Sequence, residues 1–507
     1  MTASTTNHQH LESTANTVAV DSQISFGKAA STFFLIALIG FIMHQLLFKG
    51  HILSAPPIYN DDFICYSSTW SNFQWTAARP IVFAVIWLIG LFGPKFVHLT
   101  TCLMTVGYFT MSFLFISKWL GLPRIPLPLF LFATIATLSY EHAVQCYHYT
   151  CVFAGPITGM LSLIAMFCIY NGLSKEKGWV INYCFALLFS TAALLTREDF
   201  LLPLLMFCFY FGFIEKNKEF PAAQKRARTA LVSFVIVAAG IFAHQHFVVH
   251  SPFISGANAY KTDFNPIHAF NIFCQYITCS TGSKIAFAIQ VISLVAGIFF
   301  QKRISVVKWL FLQAMIFSLI VPYTFLSTHF FHFYALNWIP WQCASSFIFV
   351  FVFENQPKLL QLTSWAMAII LSPLIIWQTS PDRHSLMLWF AEKGNISKHT
   401  LATLSENCER INHYKIIAVT GAPPLGPWTF TNGDFLKYKM HFNCRWLMFS
   451  DPDDDFYKVN HLFVYPMQFT TVELHKLSEL TSYQSLPVLK FAPDGTAVFI
   501  EPHSSTL

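Results

Sequence analysis

The chain has 507 residues, of which 54% are apolar and only 11% are charged. Soluble domains carry roughly a quarter charged residues, so a soluble enzyme is excluded, and ordinary Gly, Pro and Cys usage excludes collagen-like, disordered and disulfide-framework classes. The net charge of +6 supports no nucleic-acid partner, because the basic residues cluster in short stretches between apolar runs.

The charges are unevenly spread: about 8.5% of residues 1–378 against about 19% of residues 379–507. The chain therefore meets two solvents. Residues 1–28 are rich in Thr, Ser, Asn, Gln and His and read as a disordered cytoplasmic tail. They lack the basic start and small-residue cleavage site of a signal peptide, so the first helix is expected to stay in the mature protein. Apolar runs follow at 29–48, 80–93, 97–117, 125–140, 150–170, 179–196, 200–214, 229–248, 284–300, 306–327, 338–353 and 359–378. Most approach the ~20 residues a helix needs to cross a hydrocarbon core of about 30 Å.

Orientation follows from Lys and Arg in short loops, which stay on the cytoplasmic side. Lys216, Lys218, Lys225, Arg226 and Arg228 give the strongest vote, supported by Lys175, Lys177, Lys302, Arg303, Lys308 and Lys358. Residues 50–79, 197–199, 249–283, 328–337 and everything after 378 then face the exoplasm. A cytoplasmic start and an exoplasmic end need an odd number of crossings. The run at 125–140 is short and preceded by Pro123, Pro126 and Pro128, so it is the expected re-entrant or interfacial segment. The predicted fold class is an all-α polytopic membrane domain over 29–378, with about 11 transmembrane helices and that one extra segment. A small α/β exoplasmic domain over 379–507 follows. Its signals are a helical stretch from Ser397 to Arg410, a β-branched run from Lys415 to Thr420 and a hairpin around Pro493-Asp494-Gly495.

Residues 1–378 contain only 12 carboxylates, and two of them, Asp61 and Asp62, are adjacent in the first exoplasmic loop, ahead of Arg79-Pro80 at the mouth of the next helix. A carboxylate there can take a proton from an acceptor hydroxyl while a cation holds a departing phosphate, and the planar fork of Arg suits phosphate. A solvated loop is the plain alternative. Arg197-Glu198-Asp199 interrupts an apolar stretch, where ionisable groups cost a few kcal/mol each if exposed to lipid. They read as a tight hairpin, as a phosphate-binding Arg197 oriented by Glu198 or Asp199, or as both. Glu141 and His142, among Tyr140, Gln145, Tyr147, His148 and Tyr149, offer sugar or metal contacts, or else an aromatic belt. His329 and His332, among Phe and Tyr, line an acceptor or lipid entrance or belong to an aromatic girdle.

A first helix, a loop bearing Asp61-Asp62, the Arg79-Pro80 entry, many further helices and a terminal exoplasmic domain together resemble the C-type membrane glycosyltransferases that use polyprenyl-phosphate sugars. Protein O-mannosyltransferases, aminoarabinose transferases and O-antigen glucosyltransferases belong to that superfamily. The resemblance implies that Asp61 or Asp62 is the catalytic or site-organising carboxylate. It also implies that Arg197 meets the donor phosphate and that transfer inverts the anomeric carbon. Some members add a metal-linked acidic motif after the third or fourth helix. Glu141-His142 stands there in this chain, which leaves room for a divalent cation (Mg or Mn) without requiring one. The implied partners are a polyprenyl-phosphate sugar donor, a glycan, lipid or protein acceptor, and membrane lipids. The implied setting is cell-envelope polysaccharide or glycoconjugate modification, with a bacterial inner membrane as the expected location. A transporter or lipid flippase is the rival, and it favours charges deep within helices and internal repeats.

Overall fold

A computed structural model describes residues 31–32, 34–40, 42, 80–92, 94–122, 124–141, 143, 154–173, 178–215, 221–248, 262–300, 304–326, 337–421, 440–451, 472–483 and 485–502. In chain order the helices are α1 (Pro80–Gly90), α2 (Pro94–Leu120), α3 (Leu127–Leu138), α4 (Ala154–Leu173), α5 (Trp179–Thr196), α6 (Leu201–Phe209, extended by a π turn Tyr210–Ile214) and α7 (Pro221–Phe247). Then come α8 (Pro266–Thr278), α9 (Thr281–Phe299), α10 (Val306–Ser318), α11 (Val321–Thr324), α12 (Ile339–Ala344, continued by a 3-10 turn and Phe349–Val352), α13 (Pro357–Ala366), α14 (Ser372–Glu406) and α15 (Cys408–His413). Every predicted apolar run from 80 onward carries a helix. In a bilayer a backbone must satisfy its own N–H and C=O groups, and a helix does so within one segment. Proline opens α1, α2, α7, α8 and α13, the position where its missing N–H would have no partner anyway and its φ is already helical.

Six helical stretches are long and apolar enough to cross a membrane, and five shorter apolar helices accompany them among the described residues. The chain is an integral membrane protein. The expectation for 125–140 needs one refinement. Nine of the twelve residues of α3 are buried, so α3 is an interior helix, packed against α12 and α14, and not one lying on the bundle's outer surface. At about 1.5 Å per residue it rises about 18 Å, short of a full crossing by itself. The bundle's core is aromatic, with Trp119, Trp309, Trp338 and Trp341 at 1% exposure or less.

The two ends of the bundle differ in chemistry. At one end Lys118 Nζ donates to Asn171 (2.8 Å), Arg226 to Gly172 O (3.0 Å), Arg228 to Gly212 O (2.7 Å), and the Trp119 indole N–H to Lys308 O (3.3 Å). Arg226, Arg228 and Lys308 are among the cations that predict a cytoplasmic face, and Lys118 joins them there. Following α5, α9 and α10 away from that end leads to Arg197, Thr281 and Tyr323. The buried acids Glu141 and Asp199 and the buried arginines Arg197 and Arg383 gather there.

α14 carries the chain out of the bundle without a break. It runs through the fall in hydropathy after Trp377, and its Leu404 belongs to the core of a five-stranded sheet. The strands are β1 (Ile416–Thr420), β2 (Arg445–Ser450), β3 (Val472–Lys476), β4 (Val488–Phe491) and β5 (Ala497–Ile500), in the order β3-β2-β1-β4-β5. All neighbours are parallel except the β4–β5 hairpin, which turns at the predicted Pro493-Asp494-Gly495. One face packs Ile417, Val419, Trp446, Met448, Leu489 and Phe491 under α14 and α15; the other packs Ala418, Leu447 and Phe449 under the turn Leu477–Tyr483. Burying both faces explains why the two central strands β1 and β2 are largely apolar, while the edge strand β3 carries Glu473, His475 and Lys476. Cys408 and Cys444 are both free thiols.

Candidate functional site

The hairpin between α5 and α6 is the tight turn that three consecutive ionisable residues suggest, and it also builds a site. Helix α5 stops at Thr196 because Arg197 adopts an extended conformation (φ −168°, ψ 150°). The Leu201 N–H then bonds Glu198 O (3.0 Å) and starts α6. In an extended stretch alternate side chains face opposite ways. Arg197 and Asp199 therefore turn inward, at 4% and 1% exposure, while Glu198 stays partly open to solvent.

Inside, the two form an ion pair with Arg197 Nε 3.0 Å from Asp199 Oδ2. Other donors complete the arrangement. The Tyr323 hydroxyl donates to Asp199 Oδ1 and accepts from Arg197 Nη2 at 3.3 Å. Asn337 Nδ2 donates to Asp199 Oδ2 at 2.7 Å. The Tyr108 hydroxyl, from the middle of α2, holds the Asn337 carbonyl at 2.5 Å. Tyr108 reaches this point because α4 presents Gly159 to it; a Cβ there would lie 2.2 Å from the Tyr108 ring. Arg197 from the same turn and Tyr323 and Asn337 from distant segments thus converge on one carboxylate, and Tyr108 steadies Asn337. With arginine, tyrosine and asparagine donors all directed at it, Asp199 is a clamp for the guanidinium. Charge-assisted bonds of this kind are roughly twice as strong as neutral ones.

Glu141 occupies a separate pocket. It is 3% exposed and lies at the N-terminus of α9, where the Ser280 hydroxyl caps the Ser283 N–H (3.0 Å) and the Tyr140 and Ser283 hydroxyls are 2.9 Å apart. A helix N-terminus favours negative charge. Gly282 makes the approach possible, since a Cβ there would fall 2.4 Å from the Tyr140 ring and 2.7 Å from Glu141 Oε2. Asp382 of α14 reaches the same terminus, its Oδ2 3.4 Å from the Thr281 N–H. Burial pushes the Glu141 carboxyl up to about 7, helped by the charge of Asp382 and partly offset by hydrogen bonds from Ser280 and Gly282. Arg383, 6% exposed, donates to Ile376 O (2.8 Å) and stands close enough to interact with the charge of Glu141.

Of the residues singled out by sequence, the structure brings Arg197 and Asp199 together, keeps Glu198 on the outer side of their turn, and puts Glu141 in its own pocket at the same end. Asp61, Asp62, Arg79, His142, His329 and His332 lie outside the described residues. No three His, Cys, Asp or Glu side chains come together as a metal site among the described residues. Tyr323 joins the site without a sequence signal, being one polar residue within an apolar run, whereas Asn337 belongs with His329 and His332 to the polar and aromatic cluster that the sequence places on the exoplasmic side. For Asp382-Arg383 a signal exists: they are the first charges after the run ending at 378.

No family model and no curated protein matches the sequence. Among solved structures, the crystal structure of ArnT from Cupriavidus metallidurans bound to undecaprenyl phosphate is similar, with a TM-score of 0.51 and 11% identity over 95% of this chain and 99% of that one. The chain has the ArnT fold. The likeness to ArnT spans both the helical bundle and the terminal sheet domain, so the two parts correspond as a unit.

Proposed function

We propose that this protein is a membrane glycosyltransferase that moves a sugar from a polyprenyl-phosphate donor to a hydroxyl acceptor at the exoplasmic face, with inversion, in cell-envelope glycan or glycoconjugate modification. The observation that carries the reading is the buried Arg197–Asp199 pair, organised by Tyr323 and Asn337 at one end of a bundle whose fold is that of ArnT, crystallised with undecaprenyl phosphate. A guanidinium held by a neighbouring carboxylate is a preorganised receptor for phosphate oxygens, and its fork geometry matches them in pairs.

In the proposed reaction Asp61 or Asp62 takes the proton of the acceptor hydroxyl, whose oxygen attacks the anomeric carbon. The bond from that carbon to the phosphate oxygen breaks, and the polyprenyl phosphate departs with the electron pair. Positive charge is what this leaving group needs most. Arg197 and Arg79 supply it, and Asp199 keeps Arg197 in place. Glu141 has no part in the Arg197–Asp199 network and bears on the acceptor side or on the packing of α9 and α14.

The test is transfer from a labelled polyprenyl-phosphate sugar by the purified protein in proteoliposomes. Activity that falls at least 100-fold in Arg197→Met, and in one of Asp61→Asn or Asp62→Asn, supports the reading. Full activity in both aspartate variants removes the catalytic base, and solute flux without any glycosyl product replaces the transferase with a transporter.

A further inference from the structure

Helix α8 takes no part in the site, yet both of its ends are fastened to it. Ahead of the helix, the Asp263 N–H donates to Phe325 O (2.7 Å), Thr262 bridges to Leu326, and His268 Nε2 lies 3.0 Å from Leu326 O. Phe325 and Leu326 directly follow the α11 turn that carries Tyr323. Behind the helix, only Cys279 and Ser280 separate α8 from α9, whose first turn holds Glu141. A helix of this length rises about 20 Å. Fastened at two points of the same bundle end, it runs across that end and not along the bundle axis.

Its start is written in its own sequence: Pro266 fills the first position and Asn265 Oδ1 accepts from the Ile267 N–H (2.9 Å). Its inner face buries Ile272 and Tyr276, one helical turn apart. On the outside stand Ile267 and Phe270, at 72% and 64% exposure and three residues apart on one face of the helix, and just ahead of the helix Phe264 is 74% exposed. The other outward residues, Asn271, Gln275 and Thr278, are polar and uncharged, and the helix contains no Lys, Arg, Asp or Glu. Three large apolar side chains exposed together over seven residues are not a surface for water. The surface that follows it in the chain belongs to lipid: α9 begins two residues later and exposes Ile292, Val295 and Phe299.

We propose that α8 lies in the plane of the membrane surface, with Phe264, Ile267 and Phe270 immersed among lipid acyl chains, and so fixes the depth of Tyr323 relative to the headgroups. Interfacial helices that seek anionic lipid carry Lys and Arg on their polar face. This one has none, so its contact depends on apolar burial and is indifferent to lipid charge. Tyr323 bonds both Arg197 and Asp199. On the polyprenyl-phosphate reading, on which this consequence rests, these side chains set the level at which a lipid-linked phosphate meets the guanidinium.

The full chain, reconstituted in phosphatidylcholine vesicles with an environment-sensitive fluorescent amino acid in place of Ile267, Phe270 or Gln275, gives the test. Lipids with a nitroxide high on the acyl chain should quench the probes replacing Ile267 and Phe270 several-fold more than the one replacing Gln275. Aqueous iodide should show the reverse order, and exchanging part of the phosphatidylcholine for phosphatidylglycerol should change neither. Iodide quenching as strong for Ile267 and Phe270 as for Gln275 overturns the proposal, as does protection from both quenchers, which marks a face covered by protein. The double variant Ile267→Asn/Phe270→Asn should raise the donor KM several-fold with kcat unchanged. If the unaltered chain transfers no sugar, the functional reading fails while the quenching result still decides the placement of α8.

Discussion

Two buried carboxylates sit at the same end of the bundle in opposite settings. Asp199 receives an arginine, a tyrosine and an asparagine, each from a different part of the chain. Glu141 receives a helix terminus and hydroxyl groups, and shares its pocket with a second acid, Asp382, and the more distant Arg383. The first arrangement matches each charge with its opposite. The second leaves a carboxyl whose charge is costly, which burial holds at about 7. A cell can use the first as a fixed cation holder and the second as a group that changes charge near neutrality.

The comparison breaks first at Arg197. Removing it leaves Asp199 buried without its counter-ion, and losing one partner of a buried pair costs about 3–5 kcal/mol. We expect Arg197→Met to lower thermal stability by that amount in detergent, and Arg197→Met/Asp199→Leu to recover most of the stability without recovering transfer. An equal loss in both variants shows that the pair's packing matters and its charge balance does not.

At Glu141 the sign runs with pH. The carboxyl is raised in the folded chain, so its contribution is fully present below the ordinary carboxylate range, near 4.5, and is lost as pH rises through about 7. A shift of this size corresponds to about 3 kcal/mol. Wild-type unfolding temperature should fall between these pH values relative to Glu141→Gln, which removes the titrating group; parallel curves would break the contrast. Tyr323→Phe should cost about 1.5–3 kcal/mol, the range for a hydrogen bond to a charged group. Equilibrium unfolding of that variant sharpens how far Asp199 depends on its phenol donor. The smallest effect belongs to Glu198, on the outer side of the same turn. Glu198→Gln should change stability by no more than about 0.5 kcal/mol, and a larger loss would show that the turn itself is electrostatically built.

How much of this was legible in sequence depended on the distance over which a signal acts. The run at 179–196 matches α5 residue for residue, because Gly178 and Arg197 bound it locally. The β4–β5 hairpin is equally plain from its turn. β2 and β3 are not, since Arg445–Ser450 and Val472–Lys476 acquire their partners across long connections, and nothing in six or five residues states a register. The site divides in the same way. Arg197 and Asp199 announce themselves because charge in an apolar stretch needs a reason. Tyr323 and Asn337, 124 and 138 residues from Asp199, became part of the site only through folding. For α3, proline-rich flanks and shortness suggested a re-entrant or interfacial segment, and its tight packing against α12 and α14 sets aside the interfacial alternative.

The unbroken course of α14 has a mechanical consequence. At 1.5 Å per residue its 35 residues form a rod of about 52 Å, rooted in the bundle beside Arg383 and capped by the sheet at Leu404. Pro381 inside it removes a backbone hydrogen bond beside Asp382 and Arg383, so the rod has a defined place to bend where it leaves the bundle. Anything grasped by the sheet would pull directly on the turn where Asp382 meets α9, so load outside and geometry inside are joined by one lever.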